Sequence, residues 1–382
     1  MIARDLQKKM VLLAGPRQCG KTYVAKQLLQ QIGGTYYNWD LDADRRRIKL
    51  TELRASSRLW AFDEIHKWRS WRNWVKGVYD THHEQHQILV TGSARLDLYH
   101  RRGDSLAGRY YLMRFHPLTV AELSKAPLPV AVTQVPEAAK TTGVLNDLLS
   151  FSGFPEPFLS ATRAEYQRWQ NNYQRALIRE DLATLEAIRD LDKVETLYER
   201  LPDLIGSPLS INALREDVEV AFETVRAWIS ALERIYVCFR VAPYGPPKIR
   251  AVKKEQKLYL WDWARVSEPG ARLENLVAVH LLHYCQYAED VLGENLELRY
   301  FRIPAGAEVD FVVLRNKKPW WAIEIKMRSE SVSPALSYFV ARSPGVRAFQ
   351  LHGVGDDDLV RSGSGGVSVR CMPVEKFLGG LV

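Results

Sequence analysis

The 382-residue sequence predicts an α/β protein in three parts, and three patterns carry that prediction. Short apolar runs alternate with helical stretches over residues 10–124, as in a parallel sheet covered by helices. Residues 141–235 have the apolar spacing of helices almost throughout. From about Arg272 onward strands and helices alternate again. The expected boundaries are 1–124 for a parallel-sheet domain, 125–265 for a linker and helical part ending in two strands, and 266–382 for a second α/β domain.

Composition narrows the class. Hydrophobic residues make up 46% and charged residues 26%, too apolar for a disordered chain. Cys19, Cys238, Cys285 and Cys371 are widely spaced, which argues against a disulfide framework or a cysteine zinc site. No run approaches the roughly 20 apolar residues of a membrane helix. A soluble, cytoplasmic protein is expected, with no membrane partner. The net charge of +8 is uneven: residues 1–124 hold 21 Lys and Arg against 12 Asp and Glu. Such a surplus favours a polyanionic partner, nucleotide or nucleic acid.

Along the chain, MVLLA (10–14), RLWAF (58–62) and QILVT (87–91) read as buried strands. The first runs into Gly15, Pro16, Arg17, Gln18, Cys19, Gly20, Lys21 and Thr22, which fit the spacing G-x-x-x-x-G-K-[ST], with Tyr23 next. Strand, glycine-rich loop and helix in that order form a phosphate cradle: successive N–H groups and the helix N-terminus face an anion. ATP with Mg²⁺ is the expected ligand, with residues 15–23 binding ATP, Lys21 reaching the outer phosphates and Thr22 on the metal. The second strand ends in Asp63 and Glu64, as the acidic strand of such a site should. Asp63 is expected beside Mg²⁺ and Glu64 as the group that polarises water. The third strand ends in Thr91 and Ser93, with Ser93 as the expected γ-phosphate sensor. Trp68, Trp71 and Trp74, with Trp60, are expected to pack a helix face rather than stack on bases. Arg109, ahead of Arg101 and Arg102, is the expected arginine finger, acting on a neighbouring subunit.

These stretches, with FDEIHKWRSWRNWVKGVYD, VTGSARLDLYHRRGDSLAGRYY and GFPEPFL (153–159), resemble a prokaryotic AAA-type P-loop ATPase family over nearly the whole chain. The resemblance implies a C-terminal region of unassigned function with a winged helix and a restriction-endonuclease-like fold. The expected assembly is a homo-oligomer, a hexameric ring being one form.

In the middle, helices from Ile211 and from Glu223 to Ile235 precede two strands, the order of a winged helix. Glu216, Asp217, Glu219 and Glu223 oppose base reading by the second helix. Lys248, Arg250, Lys253, Lys254 and Lys257, around the hairpin tip, are the expected DNA contacts. In the last part, GAEVDFVVLRNKKPWWAIEIKM (306–327) reads as two strands turning at Arg315–Pro319. Period-two alternation sets Glu324 and Lys326 on one face, near Asp310, with Glu274 on the preceding helix. This is the layout of a PD-(D/E)xK nuclease, which the resemblance also implies. Glu274, Asp310 and Glu324 are expected around a divalent metal, and Lys326 beside the attacking water.

The expected activity is therefore ATP hydrolysis through Lys21, Glu64, Ser93 and Arg109, coupled to work on DNA, branched DNA included. A nucleotide-gated signalling or defence switch is one alternative. A protein-binding scaffold with an inactive nuclease fold is another.

Overall fold

The computed structural model describes residues 1–93, 106–132, 142–183, 188, 190–245, 256–303 and 306–382. The chain divides into two compact units. Unit 1 takes residues 1–116, 173–189 and 230–237; unit 2 takes 117–172, 190–229 and 238–382. Among the described residues no helix is long and apolar enough to cross a membrane.

Unit 1 is built on a sheet of strands β1 (Met10–Ala14), β2 (Gly34–Asn38), β3 (Leu59–Asp63), β4 (Gln87–Gly92) and β5 (Tyr110–Arg114). Its order is β2-β3-β4-β1-β5, and every pair is parallel. Strand alternation splits the core into two layers. Met10, Leu12, Trp60, Phe62, Ile88 and Val90 pack on one face with Trp71, Val75 and Val78 of the helix Trp71–His82. Val11, Leu13, Leu59, Ala61 and Leu89 pack on the other with Ala25 and Leu28 of the helix Lys21–Ile32. The three expected strands are present. β2 and β5 are additional; their half-exposed, tyrosine-rich runs lack the continuous apolar signal of the central strands.

The tryptophans belong to this packing. Trp71 is buried, Trp68 stacks on Trp39, and Trp74 lies edge-on to Phe62 while its indole N–H donates to the Thr51 hydroxyl.

Unit 2 carries an eight-stranded sheet in the order β12-β13-β11-β10-β9-β8-β6-β7. The strands are β6 (Cys238–Pro243), β7 (Lys257–Leu260), β8 (Leu296–Arg302), β9 (Glu308–Arg315), β10 (Lys318–Arg328), β11 (Arg347–Val354), β12 (Leu359–Ser362) and β13 (Ser368–Pro373). β9 and β10 form the expected hairpin, turning at Asn316 and Lys317, both with positive φ as a tight two-residue turn requires. The helices Ile211–Asp217 and Phe222–Arg234 occupy the expected positions. The strands after them do not stand apart as a wing: β6 pairs with β8, so β6 and β7 form one edge of the large sheet. The 24-residue helix Pro269–Leu292 follows. Glu375 reaches back to the two residues ahead of the helix Val144–Phe151, accepting from the backbone N–H of Thr142 and Gly143, each at 2.6 Å.

Candidate functional site

The all-parallel sheet of unit 1 places the carboxyl ends of its strands along one edge, where α/β folds bind ligands. The loop Gly15–Thr22 leaves β1 there and enters the helix Lys21–Ile32. A Cβ on Gly15 would lie 2.3 Å from the Phe115 carbonyl oxygen, so only glycine fits. Gln18 at φ 60° and Gly20 at φ 106° curl the loop. Lys21 Nζ donates to the carbonyls of Gly15 (2.9 Å) and Pro16 (2.5 Å), and Cys19 Sγ also donates to Pro16 O (2.8 Å). Burial pushes the Cys19 thiol up, so it stays neutral. Tyr23 faces outward, its hydroxyl accepting from Gln27 Nε2.

Thr22 Oγ1 donates to Asp63 Oδ2 at 2.8 Å. Asp63, buried at the end of β3, also accepts from the hydroxyls of Tyr36 and Thr91. Burial first, then the charge of Asp63, holds the Tyr36 phenol protonated well above its ordinary range. Glu64 sits at φ 56°, a strained position for a non-glycine residue. Its carboxylate accepts from Ser93 N (3.1 Å) and Ser93 Oγ (3.0 Å). His66 Nε2 lies 3.8 Å and Lys67 Nζ 3.7 Å from it. Burial lowers the His66 pKa and keeps the ring neutral.

Arg17 extends from the loop to Glu180 (2.9 Å) and Asp181 (3.1 Å) on the π-helical turn Ala176–Leu182. A cavity of about 300 Å³ opens beside this pair, with Asp40, His66 and Lys67 on its wall. Tyr36 and Asp181 had no signal in the sequence beyond residue type.

Arg109 stands elsewhere. Its carbonyl accepts from Met10 N, which puts it at the amino end of β5 and of β1, the far edge from the loop. Arg101 and Arg102 lie outside the described residues, as do Lys248, Arg250, Lys253 and Lys254.

Lys257 corrects the expected DNA contact. It is the first residue of β7, 0% exposed, with Nζ 2.8 Å from Glu308 and 3.2 Å from Glu274. Burial opposes its charge, but Glu274, Asp310 and Glu308 outweigh that and hold the ammonium protonated. A buried ammonium has no access to a phosphate backbone.

Glu274, Asp310, Glu324 and Lys326 line one cleft of about 380 Å³ in unit 2. Lys326 Nζ lies 2.9 Å from Glu324, and Asp310 Oδ2 accepts from Ile325 N at 2.7 Å. Burial, then the charges of Glu324 and Glu274, push the Asp310 carboxyl well up. Two of the three carboxylates expected around a metal are instead paired with lysines, Glu324 with Lys326 and Glu274 with Lys257. Glu274 is engaged by Lys257 and by the Tyr259 hydroxyl (2.7 Å). No group of three or more His, Cys, Asp or Glu among the described residues is arranged to hold a metal ion. An internal ammonium supplies much of the positive charge that such a cluster requires.

The chain is similar to several proteins. Residues 143–266 and 269–354 match two families described only as domains of unknown function. An uncharacterized protein of Mycobacterium tuberculosis is 24% identical over 369 residues, covering 90% of this chain and 78% of that protein. An uncharacterized protein of Methanocaldococcus jannaschii is 23% identical over 382 residues, covering 86% and 78%. The structure of the Aeropyrum pernix ORC1 protein in complex with DNA covers 72% of this chain and 90% of that one. At 15% identity and a TM-score of 0.33, it bears on neither fold nor function. Residues 7–124 match a family described as an AAA domain, and they hold the phosphate loop and acidic strand end described above. The N-terminal part of this chain is a P-loop domain of the AAA type.

Proposed function

We propose that the protein binds ATP with Mg²⁺ and hydrolyses it. The observation that carries this reading is the meeting of two pairs at one sheet edge, Thr22 on Asp63 at 2.8 Å and Ser93 on the next residue, Glu64, at 3.0 and 3.1 Å. Thr22 and Asp63 would hold Mg²⁺, whose bound form neutralises charge on the phosphates; a hydroxyl and an acidic oxygen side by side suit that hard cation. The residues of the chain do the rest. Backbone N–H groups of the loop and Lys21 bind the phosphates. Ser93 orients Glu64 from two donors, leaving the carboxylate to accept a proton from attacking water. Arg109 is too distant to meet the phosphates of its own chain, so any role as a finger requires a second copy.

The basic surplus of residues 1–124 supports DNA as the partner whose handling turnover drives. The cleft of unit 2, with two of its carboxylates compensated internally, supports a docking role for that region rather than nuclease chemistry.

The test is steady-state ATP turnover without DNA and with duplex, single-stranded and four-way-junction DNA. Glu64→Gln should retain a fluorescent ATP analogue and hydrolyse slowly, whereas Lys21→Ala should lose binding. Wild-type turnover in both variants would remove the ATPase reading. Turnover and binding indifferent to every DNA and to salt would remove the DNA reading alone.

A further inference from the structure

The Arg17 guanidinium is the charged group of the phosphate loop that the hydrolytic reading leaves without a task. It is the third residue of the loop, and the chain turns left-handed directly after it at Gln18. Nη1 bridges Glu180 and Asp181. Adjacent residues on an ordinary helix diverge and do not share a partner. Here the segment Ala176–Leu182 is π-helical, a wider winding found mostly as single turns at functional positions, and both carboxylates converge on one nitrogen. Asp181 is 7% exposed and Glu180 largely exposed, so Asp181 forms the fixed end of the contact.

The carboxylate proposed to act on water, Glu64, belongs to the same set of charges. Arg17 and Asp181 both lie within the field of Glu64, and Lys67 joins the same cluster from the segment after β3. Lys67 is itself held at 2.7 Å by Asp40. A guanidinium is thus held by a buried carboxylate and within the field of Glu64, on the loop that would carry the phosphates. Hydrolysis builds negative charge on the terminal phosphate, and a cation fixed in advance stabilises it without reorganisation.

We propose that Arg17 is the cation that meets this charge within the same chain, and that Asp181 is the positioning residue that holds it in place. The proposal rests on the ATPase reading and deepens it: the arginine expected from a neighbouring subunit is supplied by the loop itself.

One consequence is a pH dependence. Asp181 faces Arg17 from the loop, Glu64 and Lys67 from the segment after β3, and Glu180 beside it. Burial pushes its carboxyl up to about 6, against Arg17 and with Glu64. Above that pH the carboxylate holds Arg17; below it the proton displaces the ion pair and the positioning is lost.

The experiment uses the full chain and compares wild type with Arg17→Ala, Arg17→Lys, Asp181→Asn and the Arg17→Ala/Asp181→Asn double variant. Binding of a fluorescent ATP analogue, kcat and KM are measured between pH 5 and 9. Asp181→Asn and Arg17→Ala should each lower kcat by about 10- to 100-fold with analogue affinity within about threefold of wild type. The double variant should be no slower than Arg17→Ala, because both changes remove one arrangement. Arg17→Lys should recover part of the rate. The acid limb of wild-type kcat near pH 6 should vanish in Asp181→Asn. A wild-type kcat in Asp181→Asn, or additive losses in the double variant, would overturn the proposal. A wild type no faster than Lys21→Ala would instead overturn the ATPase reading beneath it. Retained analogue binding marks the variants as folded; should Asp181→Asn lose it, Arg17→Ala and Arg17→Lys decide, and a wild-type kcat in both overturns the proposal.

Discussion

Arg109 grips Asp80 with two nitrogens, Nε at 2.6 Å from Oδ1 and Nη2 at 3.1 Å from Oδ2. The pair joins the start of β5 to the last turn of the helix Trp71–His82. A finger reaching into another subunit would have to leave this partner. With Arg17 supplying the cation, Arg109→Ala should hydrolyse ATP within about threefold of wild type. Mixing Arg109→Ala with Lys21→Ala should give no more than the sum of the separate activities. A mixture faster than that sum would assign the finger to Arg109.

The Asp63 carboxylate is held by three hydroxyls, on Thr22, Tyr36 and Thr91. Removing one of the last two leaves a buried acceptor short of a donor. Tyr36→Phe and Thr91→Val should each weaken Mg²⁺-dependent ATP binding by about 5- to 10-fold, at a cost near 1–1.5 kcal/mol. Nucleotide titrations at several Mg²⁺ concentrations check this; unchanged affinity at every concentration would make the contacts incidental.

Asp181 should cost stability at neutral pH. Its carboxyl stands at about 6 in the fold against 3.8 ordinarily, so between these values the folded chain binds more protons than the unfolded one. Stability then falls as pH rises from about 4 to 6 and is level above. Asp181→Asn should be more stable than wild type at pH 7 by up to roughly 3 kcal/mol, a difference that closes below pH 4. Urea unfolding at pH 4, 5 and 7 measures it.

Lys257→Met would strand Glu274 and Glu308 beside Asp310. Losing one partner of a buried ion pair costs about 3–5 kcal/mol, so urea unfolding should show a loss of that order. Any DNA binding by the folded fraction should keep its salt slope, since the ammonium never reaches solvent. A slope reduced by about one unit would return Lys257 to the surface.

What the sequence made legible is what sits close along the chain. The loop Gly15–Thr22 and the pair Asp63–Glu64 were readable because each is one strand and its exit. The hairpin at Asn316–Lys317 was readable because its alternation and turn are contiguous. Arg17 and Asp181 are 164 residues apart, and no local pattern joins them. Tyr36 was hidden on β2, whose half-exposed residues have the composition of a loop. β6 and β7 were visible as strands, but pairing with β8 is a long-range choice that two strands and a basic tip do not encode. Lys257 was misassigned for the same reason: counted among exposed lysines by proximity, it is turned inward by the sheet.

The reach of Glu375 back to Thr142 and Gly143 spans 233 and 232 residues, and it ties unit 2 to the order in which a ribosome delivers the chain. All the strands of the parallel sheet of unit 1 have been made once Arg114 is added. The helix Val144–Phe151 follows soon after, yet the carboxylate that takes the two N–H groups just ahead of it is made 232 residues after Gly143. Over that interval a nascent chain carries the approach to this helix without its carboxylate partner, exposed to chaperones and proteases. A stop codon just ahead of Glu375 would do its damage near residue 142, far from the cut along the chain.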